Sequence, residues 1–279
     1  MFKQEYYYLV AGLPDFVLDR DAKPFDLRAL VEEIYDHLKE PDRELIRQFL
    51  MPYDHLNLHH LMRGREDLFD NKGYYSLDFL KTQLERPNDM PEYMIDFVEK
   101  FKYGSENSDS DTHEEYRKRS YYIWLHFYQK IAEKSKNRFI HSWWEFDHIL
   151  RNIQTAWMCR KLGEPMQKQL IGWDEEIDYF VKNNLPDFGL RGELLLGEQI
   201  FNLLDEEIDL LEREFRFDQI RWQMADELTT FNYFDIDKVL SVLAKADILD
   251  RWLKMNKKRG AMLFDGFVKT LVEQKNINL

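Results

Sequence analysis

The chain has a single cysteine, Cys159, in 279 residues. It cannot form an internal disulfide, and cysteine-rich zinc patterns are excluded. Glycine and proline are scarce, at 11 and 8, so chain breaks should be few and helices long. No apolar run approaches the roughly 18 residues that a membrane-spanning helix needs. Positive charge is in deficit: 39 Lys and Arg stand against 52 Asp and Glu, a formal net charge of −13. Such a surface repels nucleic acid and anionic lipid and favours basic protein surfaces as partners. The opening MFKQEYYYLVAGLP has no small-residue cleavage site of a secretory leader, and the expected location is the cytoplasm.

What is present reads as helix. The organising stretch is Ser142 to Leu162. Ser142 and Glu145 have the spacing of a capping box, in which each side chain satisfies a free backbone N–H. Trp143, Phe146, Leu150, Ile153 and Trp157 then recur at spacings of 3, 4, 3 and 4, one apolar stripe and the predicted core. Gly163 and Pro165 end the helix.

Taken in order, Tyr6 to Leu13 is a short extended or helical start. Phe25 to Leu38 is a helix. Asp42 to Met51 is another, opened by Pro41 and broken by Pro52. Tyr53 to Gly64, Ser76 to Leu84 and Pro91 to Tyr103 are further helical stretches. Gly104 to Thr112, GSENSDSDT, holds no apolar residue and reads as a mobile acidic loop dividing an N-terminal helical lobe, 1–103, from C-terminal helical lobes, 114–279. Glu114 to Lys134 is an aromatic helix, and Ile171 to Asn184 a short one. Between Gly197 and Gly260 there is no Gly or Pro, which predicts one or two very long helices. Asp235 caps a helix with the stripe Val239, Val242, Ala246, Leu249 and Leu253, ending on the basic turn Arg251 to Arg259. A last helix covers Ala261 to about Gln274. With no βαβ alternation, the expected class is all-α, elongated and multi-lobed.

Chemistry leaves little trace. His55 and His59 share a helix face, and Asp54 or Glu66 could complete a zinc site, but the residues between them do not make H-E-x-x-H. No phosphate loop, dinucleotide fingerprint or nucleophile elbow occurs. Cys159 lies inside a packed helix, a poor place for a nucleophile. The adjacent acids Glu175/Glu176 and Glu206/Glu207 read as solvated helix faces. No catalytic residue, cofactor or metal is assigned.

Two short patterns carry a resemblance. Asp54-x-x-Asn57-Leu58-x-x-Leu61 is similar to the D-x-x-N-L motif of the C-type subunit of archaeal-type ATPases. Trp144-Glu145-Phe146-Asp147 followed by Asn152-Ile153 resembles the F-E-A-D-x4-N-I pattern of its eukaryotic counterpart, the d-type subunit of V-type ATPases. The region Asp235 to Gly260 resembles that family's late long helix, but has Asp250 or Arg251 where Asn is expected. The central copy also shifts its Asn by two positions relative to the first. The opening Tyr6-Tyr7-Tyr8-Leu9-Val10-Ala11-Gly12-Leu13-Pro14 resembles the start of an uncharacterised bacterial family encoded beside V-type ATPase subunits. The resemblance implies a non-catalytic, all-helical part that couples the central rotor stalk to the membrane ring for ion transport. Its partners would be the central-stalk and membrane-ring subunits, and it would sit at the inner face of the plasma membrane without spanning it. The residues Asp54, Asn57, Asp147 and Asn152 would be structural. The alternative is an independent helical interaction module, an adaptor; weakest is an enzyme using His55 and His59 with a metal. Glu193 to Glu214 carries eight acids and one base, Arg213. As one long helix it could not neutralise itself, which makes Glu206, Glu207 and Glu212 the expected docking residues for a basic partner.

Overall fold

The computed structural model describes residues 5–102 and 113–255. Among the described residues there are eleven α-helices and no strand, so the class is all-α. They are α1 (Tyr7–Gly12), α2 (Leu27–His37), α3 (Asp42–Met62), α4 (Leu77–Glu85), α5 (Glu92–Lys102), α6 (His113–Phe127), α7 (Arg138–Leu162), α8 (Asp174–Lys182), α9 (Gly197–Asp205), α10 (Leu210–Glu227) and α11 (Ile236–Lys254). A π turn, Tyr128–Ala132, closes α6. The expected loop 104–112 and the expected last helix lie outside the described residues.

The centre is built by α7 and α11. α11 packs against α2, α3, α7 and α10, and α7 packs against α3, α10 and α11. α11 is accordingly buried on most of its circumference, from Ile236 through Leu243 and Ala244 to Trp252. Helices on the two sides of segment 104–112 touch directly, as α3 does with α6, α7 and α11. Among the described residues nearly all the buried apolar side chains, from Tyr6 to Trp252, join into one cluster.

Several boundaries differ from those the sequence predicts. α7 begins a turn earlier, at Arg138, because Asn137 is the cap and its side chain accepts the Ile140 N–H at 2.8 Å. Ser142 therefore lies within the helix and does not cap it. At the far end Gly163 takes the left-handed conformation, φ 70°, as its place after Leu162 requires. Trp143, Phe146, Leu150 and Ile153 are buried. Trp157 is only partly so: it packs on the edge of the core and carries Lys161 and Arg213 over its ring.

Pro52 does not break α3, which runs on to Met62. The missing N–H forfeits one bond to the Gln48 carbonyl. Phe49, Leu50 and Met51 before it and Leu58 and Leu61 after it are all buried, and that shared burial keeps the helix in one piece.

The stretch without Gly or Pro forms three helices, not one or two long ones. Asp209 accepts the Glu212 N–H and starts α10, and Asp235 accepts the N–H groups of Asp237 and Lys238 and starts α11. Aspartate competes for backbone donors and ends helical runs without any help from Gly or Pro.

Candidate functional site

The four polar motif residues are all buried: Asp54, Asn57, Asp147 and Asn152. Asn57 grips the chain that follows α3. Its Nδ2 donates to the Asp70 carbonyl at 2.8 Å, and its Oδ1 accepts the Asp70 N–H at 2.7 Å. One turn earlier, Asp54 accepts the N–H groups of Tyr74 and Tyr75 at 3.1 and 3.0 Å. Gly73 lets this loop come so close, since a Cβ there would meet Asp54 Oδ1 at 2.4 Å. Burial pushes the Asp54 carboxyl up to about 7, against the two N–H bonds and the Arg47 and Arg28 charges that favour its ionised form.

Asn152 repeats the grip on the chain that follows α7. Its Nδ2 donates to the Ile171 carbonyl at 2.7 Å, and its Oδ1 accepts the Ile171 N–H at 3.1 Å. One turn earlier, His148 Nε2 meets Glu176 Oε1 at 2.7 Å. In both places an asparagine inside a long helix holds the backbone N–H and carbonyl of one residue of the returning loop by both its polar atoms. A neighbour one turn back holds a second point.

Asp147 plays a different part. It accepts from Arg151 Nε at 2.6 Å and from Arg221 Nε, on α10, at 3.1 Å. Burial raises the pKa of its carboxyl, but the Arg151 and Arg221 guanidiniums outweigh this and hold it below the ordinary value. Arg221 also donates to Asp218 at 3.2 Å. Asp218 in turn accepts from Trp252 Nε1 at 2.6 Å and from Arg251, both on α11. Lys72, in the loop that Asn57 and Asp54 hold, reaches Asp247 at 3.0 Å and Asp250 at 3.6 Å. Tyr53 also donates to Asp247. A web of buried and half-buried charges thus joins α3, its loop, α7, α10 and α11. Asp250 and Arg251, where the resemblance expects an asparagine, make ion pairs in this web.

The other candidates fall elsewhere. His55 is buried against Tyr93, Nε2 to hydroxyl at 2.7 Å, and burial drives its pKa down to about 3. His59 is buried with its ring against Tyr116. Among the described residues no group of three or more His, Cys, Asp or Glu side chains is placed to hold a metal ion. Cys159 is buried, and burial raises its thiol pKa, the opposite of what a nucleophile needs.

The acidic stretch is not one helix, because α9 ends at Asp205 and α10 begins at Leu210. Nor is Arg213 its only cation. Arg216 pairs with Glu206, Arg20 pairs with Glu212 at 2.7 Å, and Arg191 pairs with Glu198 at 3.1 Å and Asp205 at 3.0 Å. Glu207 is exposed.

Sequence reasoning missed Lys72, Asp218 and Arg221. The pair Asp218 and Arg221, three apart on one helix, was visible as a local spacing. The reach of Arg221 to Asp147, 74 positions away, left no local signal.

These buried polar groups, met by backbone or by opposite charge, tie loops to helices and helices to one another. A family model described as "Protein of unknown function (DUF2764)" matches residues 3–275. No curated protein and no solved structure matches the chain. The chain belongs to the DUF2764 family.

Proposed function

We propose that this DUF2764 chain is a non-catalytic component of a V/A-type ATPase, like the C-type and d-type subunits, coupling the central rotor stalk to the membrane ring for ion transport. The observation that carries the reading is the repeated asparagine grip, Asn57 on Asp70 and Asn152 on Ile171. The motifs that carry the resemblance are buried structural ties, as a part that transmits force requires. Cross-linking of α3, α7, α10 and α11 by the charge web supports the same reading, since a coupling piece must resist shear between its helices. No helix among the described residues is long and apolar enough to cross a membrane. The chain would therefore reach the inner face of the plasma membrane by docking on the ring.

Glu206, Glu207 and Glu212 remain the proposed contacts for a basic stalk surface, with Glu207 the most available because the other two already meet arginines. The test is association of the purified chain with purified stalk subunits across a salt series. Wild type should associate more slowly as the Debye length falls from about 10 Å at 0.1 M to about 3 Å at 1 M. The triple change Glu206→Gln, Glu207→Gln and Glu212→Gln should slow association at low salt. Equal rates for the variant and wild type would remove this face from the interface. Absence of any association would remove the coupling role itself and leave the independent adaptor.

A further inference from the structure

Two hollows open on the outer side of α7, and both are lined by Glu145 and Ile149, which form the ridge between them. The first, of about 250 Å³, is walled by Tyr128 and Ala132 of the π turn, with Trp173 and Glu176 also in its lining. The second, of about 350 Å³, is floored by Phe146, Leu150, Ile200, Met224 and Leu228, with Leu194 and Leu195 also in its lining. Trp173 and Leu195 are 54% and 53% exposed, large apolar side chains left uncovered beside the ridge. Around this apolar ground stand Glu133, Glu145, Glu176 and Glu193. Among the described lining residues, Arg138 is the only Lys or Arg against them.

We infer that this face of α7 docks an amphipathic helix of a protein partner, with apolar side chains seated in the two hollows and Lys or Arg beside them facing the four glutamates. Helices pack by laying the side-chain rows of one into the depressions of the other, and a ridge between two hollows offers two such depressions. An apolar patch rimmed by charge marks an interaction surface, and the sign of the rim selects the partner. Two of the four glutamates are already met by rings in the same lining, Glu176 by His148 at 2.7 Å and Glu145 by His141 at 3.7 Å, but four carboxylates against one guanidinium still reject an acidic helix and attract a basic one. The face is built from residues other than Glu206, Glu207 and Glu212, and its docking does not depend on the rotary-motor reading.

The test uses the full chain and a labelled synthetic peptide of about 18 residues, roughly 27 Å of helix, made of Leu, Ala and Lys with all Leu on one stripe. Fluorescence anisotropy should show saturable binding of one peptide per chain, weaker at about 0.5 M salt. A scrambled peptide of the same composition should bind about tenfold more weakly or worse, since it keeps the charge and loses the stripe. Glu145→Lys and Ile149→Asp, both at positions that reach solvent, should each weaken binding by about tenfold or more with an unchanged circular dichroism spectrum. Glu206→Gln with Glu207→Gln should change it by less than about twofold, which separates this face from general attraction to an acidic protein. Equal binding of the scrambled peptide, wild-type binding by Glu145→Lys, or no saturable binding would overturn the proposal. So would a dimer of the chain that Glu145→Lys dissolves, because a second copy would then be the occupant.

Discussion

Replacing Asn57 by alanine removes the two bonds that hold Asp70. Each is a neutral bond worth about 1 kcal/mol net, so the bonds alone account for about 2 kcal/mol. The truncation also strands the Asp70 N–H and carbonyl. Asp70 is only half-buried, so water can reach part of what is lost, and the added penalty sits at the low end of the usual range of about 1–3 kcal/mol. The expected total is about 2–4 kcal/mol. Asn57→Asp keeps the shape and the acceptor for the Asp70 N–H, but turns an oxygen toward the Asp70 carbonyl and adds a charge at a site with no solvent exposure. It should cost at least as much as alanine. Urea unfolding, with the slope checked so that the unfolded states are comparable, measures both. If Asn57→Ala loses under about half a kcal/mol, or Asn57→Asp is the more stable of the two, the grip carries no weight and the reasoning fails.

Three further outcomes follow from the same geometry. Leu150→Ala, at a position with no exposure in the centre of the α7 stripe, should cost about 2–5 kcal/mol in the same assay, and a loss under about half a kcal/mol would contradict a packed core there. Asp147→Ala takes from Arg221, whose side chain is 13% exposed, one of its two carboxylates and leaves it Asp218 at 3.2 Å; the loss should fall short of the about 3–5 kcal/mol of a fully broken buried pair, and a neutral result would mean the web adds no stability. Asp54 and His55 should oppose each other with pH. The folded Asp54 carboxyl, at about 7 against about 3.9 unfolded, adds stability that is complete below about 3.9 and lost as pH rises through 7. The folded His55, at about 3 against about 6.5 unfolded, adds stability that is complete above about 6.5 and lost as pH falls toward 3. Between about pH 4 and 6.5 each contributes a slope of about 1.4 kcal/mol per pH unit, of opposite sign. Relative to wild type, His55→Gln should therefore gain stability on acidification from about pH 6.5 to about 4.5, and Asp54→Asn should lose it; shifts of the same sign in both variants would refute the assignment.

The helical class was legible because apolar residues at spacings of 3 and 4 mark a helix wherever one face is buried. Leu150 and Ile153 lay where that pattern put them. Boundaries were less legible where the signal was polar. Asn137, Asp209 and Asp235 all cap helices, but only Asp235 reads as a cap from the sequence. Pro52 misled in the other direction, because local propensity yields to the burial of Met51 and Leu58 on either side. The motif residues Asp54, Asn57, Asp147 and Asn152 were legible as short polar groups near apolar stripes. What they hold was not, since Asp70, Ile171 and Arg221 reach them only through tertiary contact. The acidic run was read by composition alone, and Arg20, 192 positions from Glu212, could not be counted against it.

The coupling role is tested most directly by tagging the chain in its native cells, purifying it gently with the membrane fraction, and identifying what comes with it. A coupling piece should bring central-stalk and membrane-ring subunits of a V/A-type ATPase in amounts comparable to its own. Recovery of the chain alone, or with partners that include no part of such a motor, would contradict the role.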